Sequence, residues 1–594
     1  MNSGTYQMFD GKLILRIRDR ICDTPDELLS SEIFLDFFKR CIHDLSRRNS
    51  KLLQVFDHSD VSDEDVQLLV QTLRFLVRLP SNLVPNVCPG SEQFFRDRQL
   101  FNDFIEYIYN AWRHLQRLVV CDSQGDTFDQ RPYRTFNSTV ETLTHLIRST
   151  YRDLQENITG NHPRIYRQVR AGAEIATIAL TRDIQYPTEL YKKLNNISMI
   201  RQVLIYPPLI FNPPMNKRSG AFERIDHNPL DRIDLNPEEW LCYPAKVGSL
   251  LIMIYFSNHF FELGFSLCNL FELADDEDLE RKPDAIYLYG IPQDDVRAPS
   301  GNATVFYDDT ENDILIGFVP GRNEFGYFGY VKKMILTLHN IKMMKMGKMP
   351  YHGAMVHIKL HNARAFNVLM MGDTGAGKSE TLEALRGIAS DEVEDIIIIA
   401  DDMGSIDIAP DGTVLGYGTE TGAFVRLDDL QPGYAFGQID RTIIMSPNQT
   451  NARVVLPVTT YEEITKGYPV DFILYANNYE EIDEDHPIIQ RMETPEEALT
   501  VFREGTVMSK GTTTTTGLVH TYFANVFGPH QYRAMHDQIA HRFFEAFFQQ
   551  GIFVGQMRTR LGIAGMEHSG PEESARALLA TLRQHAETGT AAPK

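Results

Sequence analysis

The sequence has few cysteines, and their spacing indicates neither a disulfide framework nor a zinc site. Six cysteines occur among 594 residues, with no C-x-x-C pair and none beyond Cys268. Disulfide-rich secreted domains and structural zinc sites both need paired or closely spaced cysteines. The opening residues MNSGTYQMFDGKL also lack the charged-then-apolar layout of a signal peptide. We therefore expect a cytoplasmic protein in a reducing compartment.

Positive charge and long uncharged runs are scarce as well. The formal net charge is −22, and a surface this acidic repels the phosphates of nucleic acids. The apolar stretch Val247–Phe271 is interrupted by Ser257, Asn258 and His259 and becomes charged at Glu262. Because such a run is too short for a bilayer span, we predict a buried helix there. We expect neither a nucleic-acid partner nor a membrane segment.

What the sequence does contain is a nucleotide-binding pattern between Phe366 and Arg386. The apolar run Phe366–Met371 predicts a buried strand, Glu380–Arg386 predicts a helix, and G-x-x-x-x-G-K-S lies between them. Inward-turned amides and the helix N-terminus of such a loop hold a polyphosphate, Lys378 reaches its β- and γ-phosphates, and Ser379 completes a metal shell. The predicted nucleotide-binding residues are Gly372, Asp373, Thr374, Gly375, Ala376, Gly377, Lys378, Ser379 and Glu380.

An acidic pair follows the next apolar run. Ile396–Ala400 predicts a buried strand, and Asp401-Asp402 comes directly after it. P-loop enzymes hold their metal with an acid at the end of such a strand, directly or through water. An ordinary turn is the alternative interpretation of the pair. With the P-loop pattern upstream, we predict a metal-binding role.

Changes in pattern divide the chain into four predicted segments. Residues 1–190 carry helix-start signals such as Thr24-Pro25-Asp26-Glu27, followed by apolar residues at helical spacing, which predicts a helical accessory domain. Residues 191–345 mix strand and helix patterns, and residues 346–569 contain the P-loop pattern. Residues 570–594 are predicted to be a tail with one short helix. The predicted fold class is α/β, with an all-helical N-terminal domain and a mixed α/β domain before the P-loop core.

Several of these segments together resemble ATP-dependent phosphoenolpyruvate carboxykinases. Tyr327–Lys333, YFGYVKK, resembles the Y-x-G-E-M-K-K motif of that family, and His352, 19 residues past Lys333, matches its metal-binding histidine in spacing. Asn451-Ala452-Arg453 is similar to its N-T-R element. Phe502–Gly511 and Tyr522–Pro529 resemble its late glycine-rich and F-S-A-C-F-G segments. The P-loop itself, GDTGAGKSE with ADD downstream, is more similar to HPr kinase/phosphorylase, a fold relative of the carboxykinases.

The resemblance implies a P-loop carboxykinase-like core with two divalent ions. Mn²⁺ would be bound by Lys333, His352 and Asp402, and a nucleotide-bound Mg²⁺ by Ser379. A lysine ligates a metal only as the neutral amine, so its pKa must be lowered, which neighbouring cations achieve. A mixed nitrogen and oxygen shell also suits manganese better than calcium.

The resemblance also implies roles around the reacting groups. Arg453 would bridge the transferring phosphoryl group, Tyr327 would lie beside the carboxylate or CO₂ of the substrate, and Lys332 would neutralise charge nearby. The family pattern is not complete. No R-S-P-K-D motif is present, and the similar stretch Lys217-Arg218-Ser219-Gly220 is a partial match. Tyr330 replaces the motif's glutamate, and the arginine expected near adenine has no counterpart in the threonine run Thr512–Thr516. The nucleotide base and the acid substrate stay open.

Three functions follow from these residues. The leading one is a carboxykinase-like enzyme that converts oxaloacetate and ATP to phosphoenolpyruvate, CO₂ and ADP. The second is an HPr-kinase-like enzyme that phosphorylates a protein serine or a small-molecule hydroxyl, with Asp401 or Asp402 as general base. The third is a non-catalytic nucleotide-sensing scaffold. The expected partners are a nucleotide and a small carboxylic acid, or a protein acceptor, and the helical N-terminal domain is the expected oligomerisation surface.

Overall fold

The computed structural model divides the chain into two compact units. The first consists of Met1–Arg182 and Ser198–Tyr206, and the second of Asp183–Ile197 and Pro207–Lys594. The structure describes residues 4–9, 11–17, 22–58, 60–122, 131–162, 169–219, 221–292, 296–361, 364–388, 393–427, 439–510, 516–526 and 532–587. Among these residues, none of the helices combines the length and apolar character that crossing a bilayer requires.

The first unit contains five strands of a mixed sheet as well as helices. Its strands are β1 (Gly4–Phe9), β2 (Lys12–Ile17), β3 (Gln116–Asp122), β4 (Ile175–Leu180) and β5 (Met199–Ile205). They lie in the order β1-β2-β3-β4-β5, with β2, β3 and β4 parallel, β1 antiparallel to β2, and β5 antiparallel to β4. The prediction of an all-helical N-terminal domain is therefore wrong. Parallel partners such as Lys12 and Gln116 lie far apart in sequence, so no local pattern shows their pairing.

Helices cover this sheet and supply most of the apolar core. They are α1 (Pro25–Leu29), α2 (Glu32–Arg47), α3 (Asp63–Leu76), α4 (Arg98–His114) and α5 (Arg131–Thr159). The predicted start at Thr24 is confirmed, because its hydroxyl accepts a hydrogen bond from the amide of Glu27. One core cluster is rich in phenylalanine, including Phe38, Phe101 and Phe104, which are fully buried.

The second unit is mixed α/β. Its strands are β6 (Leu209–Phe211), β7 (Glu223–Ile225), β8 (Trp240–Val247), β9 (Leu250–Ser257), β10 (Glu272–Leu273), β11 (Ala285–Ile291), β12 (Val305–Asp309), β13 (Ile314–Pro320), β14 (Met349–Leu360), β15 (Ala365–Met371), β16 (Val393–Ala400), β17 (Met403–Ile408), β18 (Val414–Gly418), β19 (Gly422–Arg426), β20 (Ile443–Met445), β21 (Arg453–Pro457), β22 (Tyr468–Pro469), β23 (Phe472–Asn477), β24 (Ile489–Arg491), β25 (Thr506–Lys510), β26 (Thr516–His520) and β27 (Phe553–Arg558). Its helices are α6 (Glu189–Lys192), α7 (Phe261–Phe265), α8 (Phe328–Lys345), α9 (Lys378–Ile388), α10 (Tyr461–Thr465), α11 (Pro495–Glu504), α12 (Arg533–Gln549) and α13 (Ser569–Glu587).

Two sheets and the buried helix α8 frame the candidate site. One sheet contains β8-β9-β11-β13-β12-β7 in that order, and β10 pairs with β8. The other contains β22-β18-β17-β14-β15-β23-β27-β24, with β16 paired to β14. In the second sheet β15, β23 and β27 run parallel, so their carboxyl ends meet at one edge. The P-loop begins at the end of β15, at this edge.

The stretch Val247–Phe271 is not the single buried helix that its sequence predicts. It contains the strand β9, in which all eight residues are buried, followed by the short helix α7 between two 3₁₀ turns. A fully buried strand shows a continuous apolar run, which periodicity alone does not distinguish from a buried helix. Pairing with β8 and β11 on both sides decides the conformation.

The predicted C-terminal tail belongs to the core of the second unit. The helix predicted for this tail is α13, and its residues Ala575, Leu578 and Leu582 are buried in the same cluster as Leu385 of α9. The helix α13 therefore packs with the P-loop helix α9 in the apolar core of this sheet. A second small sheet, β19-β21-β20-β6, and the hairpin β25-β26 complete the unit. Most of the threonine run predicted as a loop, residues 511–515, lies outside the described residues.

Candidate functional site

The P-loop connects β15 to α9 in the predicted way. Two of its glycines, Gly375 and Gly377, adopt φ angles of 81° and 93°, in the left-handed region that favours glycine. A Cβ atom added to Gly377 would lie 2.6 Å from the hydroxyl oxygen of Thr559. Both the backbone angle and the close neighbour therefore require glycine at position 377.

Three side chains from other elements hold the loop in this conformation. The amide of Asn478, which is fully buried after β23, donates to the carbonyl of Gly375 at 2.8 Å. The hydroxyl of Thr559, after β27, donates to the carbonyl of Ala376 at 2.6 Å. The hydroxyl of Thr521 donates to the carboxylate of Asp373 at 3.0 Å. Asn478 and Thr559 lie where the loop passes because β23 and β27 end at the same edge as β15, whereas Thr521 reaches the loop from the end of the hairpin strand β26.

Lys378 is buried and its ammonium group is bound by the loop itself. Its Nζ donates to the carbonyl oxygens of Gly372 at 2.6 Å and of Asp373 at 3.1 Å. Ser379 and Glu380 follow in the first turn of α9, and both are partly buried. The predicted phosphate-binding lysine thus lies over the loop, with its charge directed at main-chain carbonyls.

Lys332 lies between two carboxylates. Its Nζ is 2.9 Å from Oδ2 of Asp402 and 2.9 Å from Oε1 of Glu420, and both Lys332 and Glu420 are almost fully buried. Burial opposes the charge of Lys332, yet Asp402 and Glu420 raise its pKa. Burial raises the pKa of the Glu420 carboxyl to about 8, and the neighbouring charge of Asp402 acts in the same direction. The helix α8 therefore carries a firmly protonated lysine at this point.

His352, on β14, links this ion pair to the P-loop. Its Nε2 lies 2.9 Å from Oδ1 of Asp402. Its Nδ1 is hydrogen-bonded to the main-chain oxygen of Ala524 and lies 3.8 Å from Oδ1 of Asp373. Burial works to raise the pKa of Asp402, but Lys332, His352 and Lys333 together hold it well below the usual range. Three predicted site residues, Lys332, His352 and Asp402, are therefore in direct contact.

The adjacent Lys333 differs electrostatically from Lys332. It is partly buried, and burial lowers the pKa of its amine to about 8, with Arg218 acting in the same direction and Asp402 against it. Asp401 is also partly buried, and burial raises the pKa of its carboxyl. The neutral amine, which metal ligation requires, is thus more accessible for Lys333 than for an ordinary lysine.

The donor set suits the ions that the resemblance implies, although it is not a carboxylate cage. No group of three His, Cys, Asp or Glu side chains in the described ranges is arranged to hold a metal. The implied set instead combines one histidine, one aspartate and one lysine. His352 Nε2 and Asp402 Oδ1 are hydrogen-bonded to each other at 2.9 Å, and the lowered pKa of Lys333 favours its neutral amine. By residue type, these side chains would supply a divalent ion with nitrogen and oxygen ligands.

Tyr327 and Arg453 form a second group around Phe424 of β19. The Arg453 guanidinium lies 5.4 Å from the centre of the Phe424 ring. The ring of Tyr327, the residue that caps the N-terminus of α8, has its centre 5.9 Å from the centre of the same Phe424 ring. Arg453 is directly opposite Arg426 in the antiparallel pair β19-β21. Its buried Nε has no hydrogen-bond partner in the described part of the chain. Two like charges are therefore neighbours across this strand pair, an arrangement that is unfavourable without a counter-charge.

Two features of the site are missing from the sequence-based prediction. Glu420 lies between β18 and β19 without any motif, and only its burial beside Lys332 identifies it. The segment of Arg218 is held at the start of α8, because the hydroxyl of Tyr330 accepts from the amide of Ser219 and donates to its carbonyl. Tyr330, which stands where the carboxykinase motif has a glutamate, therefore holds the segment that contains Arg218. This segment is the partial match to the R-S-P-K-D motif of that family. Burial lowers the pKa of Arg218.

Comparison with known proteins gives no indication of the function of this site. No protein-family model matches the chain, and no curated protein matches its sequence. The contacts of Lys332, His352, Asp402 and the P-loop are therefore the observations on which a function must be based.

Proposed function

We propose that the second unit is an ATP-dependent phosphoryl-transfer enzyme of the phosphoenolpyruvate carboxykinase type. The proposed reaction converts oxaloacetate and ATP to phosphoenolpyruvate, CO₂ and ADP. The observation that carries the proposal is the contact network Lys332–Asp402–His352, which ends 3.8 Å from Asp373 of the P-loop. A lysine, a histidine and an aspartate from distant parts of the sequence thus adjoin a phosphate-binding loop.

The proposed chemistry needs positioned positive charge more than covalent catalysis. Cleavage of the carbon–carbon bond of oxaloacetate releases CO₂ and leaves the electron pair in an enolate. The enolate oxygen then attacks the γ-phosphorus of ATP, and ADP leaves. Negative charge develops on the enolate and on the phosphoryl oxygens, so fixed cations that face them lower the barrier.

Individual residues would supply these charges. Lys378 would leave the carbonyls of Gly372 and Asp373 to bind the β- and γ-phosphates, a change that requires only rotation of its side chain. Lys332, held charged between Asp402 and Glu420, would offset the charge of the enolate.

The remaining groups would act on the substrate and the ions. Arg453 would contact the transferring phosphoryl group, and Tyr327 would lie beside the carboxylate that leaves as CO₂. Divalent cations, which Lys333, His352, Asp402 and Ser379 would hold, supply further positive charge to the phosphoryl and enolate oxygens.

The test is a direct assay of the purified chain. It is incubated with oxaloacetate, ATP and Mn²⁺, and phosphoenolpyruvate is measured by an enzyme-coupled reaction, with Lys378→Ala as the matched control. We expect phosphoenolpyruvate from the wild type and at least a 10²-fold lower rate from the variant. If no phosphoenolpyruvate forms with ATP, GTP or pyrophosphate, the carboxykinase proposal is wrong.

A second function is favoured by Asp401. Its carboxyl pKa is raised by burial, as suits a general base that takes a proton from a hydroxyl acceptor. The unit would then act as a kinase on a protein serine or a small-molecule hydroxyl. Incubation of γ-labelled ATP with the protein and a cell lysate distinguishes the two. Label in a macromolecule or hydroxyl metabolite, lost in Asp401→Asn, favours the kinase, whereas label in phosphoenolpyruvate only when oxaloacetate is added favours the carboxykinase.

A further inference from the structure

The first unit encloses an apolar cavity that is independent of the site in the second unit. Its volume is about 120 Å³, and its lining comes from β2 and all five helices of the unit. Most of the lining side chains are less than a tenth exposed, including Leu13, Phe38, Leu73 and Leu154. Most of the cavity wall is therefore buried in the core of the unit.

Aromatic rings form much of the cavity wall. Phe34, Phe37, Phe38, Tyr109, Trp112 and Tyr151 all line it. The rings of Tyr109 and Tyr151 are stacked, with centroids 3.8 Å apart and planes inclined by 6°. The hydroxyl of Tyr151 is already bonded to Glu106, so this wall presents ring carbon to the cavity. Aromatic walls favour stacked or edge-on contact with a ring.

One polar residue of the lining, Thr150, has a hydroxyl without a hydrogen-bond partner among the described residues. Thr150 lies on α5 and is 3% exposed. Other threonines of the same helix, Thr144 and Thr159, turn their hydroxyls back to the carbonyl four residues earlier. A buried hydroxyl without a partner is costly in an apolar surrounding, and a ligand hydroxyl would satisfy it.

We propose that this cavity is a binding site for a small ring compound that carries one hydroxyl group. An engineered apolar cavity of about 150 Å³ accepts benzene, so 120 Å³ accommodates a single ring of similar size. The rings of the wall would contact the ring of the ligand, and Thr150 would exchange a hydrogen bond with its hydroxyl. The ligand class is thus a phenol or a cyclic alcohol, bound without help from the second unit's residues.

Trp112 gives a direct optical readout of the cavity. The chain has two tryptophans, so Trp240→Phe in the full-length protein leaves Trp112 as the only one. Phenol and benzene are titrated while tryptophan fluorescence is excited at the red edge of its absorption. We expect saturable changes with both probes, and a dissociation constant for phenol on the order of 0.1–1 mM. If neither probe changes the fluorescence in a saturable way, the proposal is wrong.

Thr150 is tested against its matched control. In the Trp240→Phe background, Thr150→Val should raise the dissociation constant of phenol about fivefold and leave that of benzene unchanged, whereas Thr150→Ser should keep the preference for phenol. Equal effects of Thr150→Val on both probes would remove the hydroxyl from the proposal. Ile147→Phe, which fills the cavity, should abolish binding of both. If that variant does not fold, the comparison of valine with serine at position 150 still decides the outcome.

Discussion

Each unit contains a buried cation, and the two are paired in different ways. Arg117, in the first unit, donates to the carbonyls of Gly172, Trp112 and Leu115 and lies 3.3 Å from the carboxylate of Glu174. Lys332, in the second unit, is equally buried, but its ammonium group lies between two carboxylates, one of which also contacts His352.

The electrostatic result differs accordingly. Burial lowers the pKa of Arg117, whereas burial of Lys332 is outweighed by its two carboxylates, which raise its pKa. Arg117 is satisfied by main chain, as expected of a cation that fastens β3 to its neighbours. Lys332 is instead paired with two carboxylates, and neither oxygen of Glu420 accepts a well-directed hydrogen bond from the described residues. A buried acid in this position is costly for stability.

The largest expected difference between the two cations is in turnover. Lys332→Met should lower the rate of the assay proposed above by about 10³-fold, because in the proposed reaction this variant loses the charge that offsets the enolate. Arg117→Met should leave the rate per folded molecule within about twofold, since Arg117 lies in the other unit. The turnover rates of the two variants are measured and divided by the folded fraction, which circular dichroism determines. Equal losses in both variants would contradict a special role of Lys332.

The next effect is on the stability of the first unit. Arg117→Met leaves three carbonyls and Glu174 without their donor, so we expect a loss of about 3–5 kcal/mol in the unfolding free energy of that unit. Hydrogen exchange analysed by peptide mass spectrometry assigns the loss to the first or the second unit. Faster exchange confined to the second unit would show that Arg117 does not stabilise its surroundings. Arg113→Met, at a more exposed position nearby, is the control.

Removing Lys332 together with Glu420 sharpens the comparison. At about pH 9, above the pKa of about 8 of Glu420, Lys332→Met alone should destabilise the second unit by about 3 kcal/mol, and adding Glu420→Gln should recover about 1–2 kcal/mol, because it removes a buried acid that has lost its cation. Turnover should stay low in the double variant. Denaturant unfolding of single and double variants gives the coupling free energy. A double variant that is less stable than Lys332→Met would mean that Glu420 does not depend on Lys332.

The smallest expected effect depends on pH. Burial lowers the pKa of His536 to about 4, from 6.5 in the unfolded chain, and its ring is bonded to Tyr522. Between pH 4 and 6.5 the unfolded chain therefore binds more protons, so stability falls as the pH falls through this range. His536→Gln should reduce this loss by about 1–3 kcal/mol between pH 6.5 and 4. Identical pH profiles of unfolding for the variant and the wild type would contradict the assignment.

The sequence-based predictions are accurate where the interacting residues are close in sequence, and they fail where the residues are far apart in sequence. Thr24 was predictable as a helix start because it bonds to Glu27, only three residues away. The strand, glycine loop and helix around Lys378 were predictable because they are contiguous. The strand β9 was mistaken for a helix, since its apolar run is ambiguous until β8 and β11 pair with it. Glu420 could not be found, because nothing near it in sequence marks it as a partner of Lys332.

The sequence alone determined the local pieces: the glycine turn before α9, the order of the lysine, histidine and aspartate segments, and the acidic surface. Only the tertiary structure decided which of two adjacent lysines is ion-paired and which has a lowered pKa. Lys332 and Lys333 are chemically identical, and their difference arises from side chains that other elements bring within a few ångströms. Electrostatic energies depend on distance and burial, and neither quantity can be read from the order of residues.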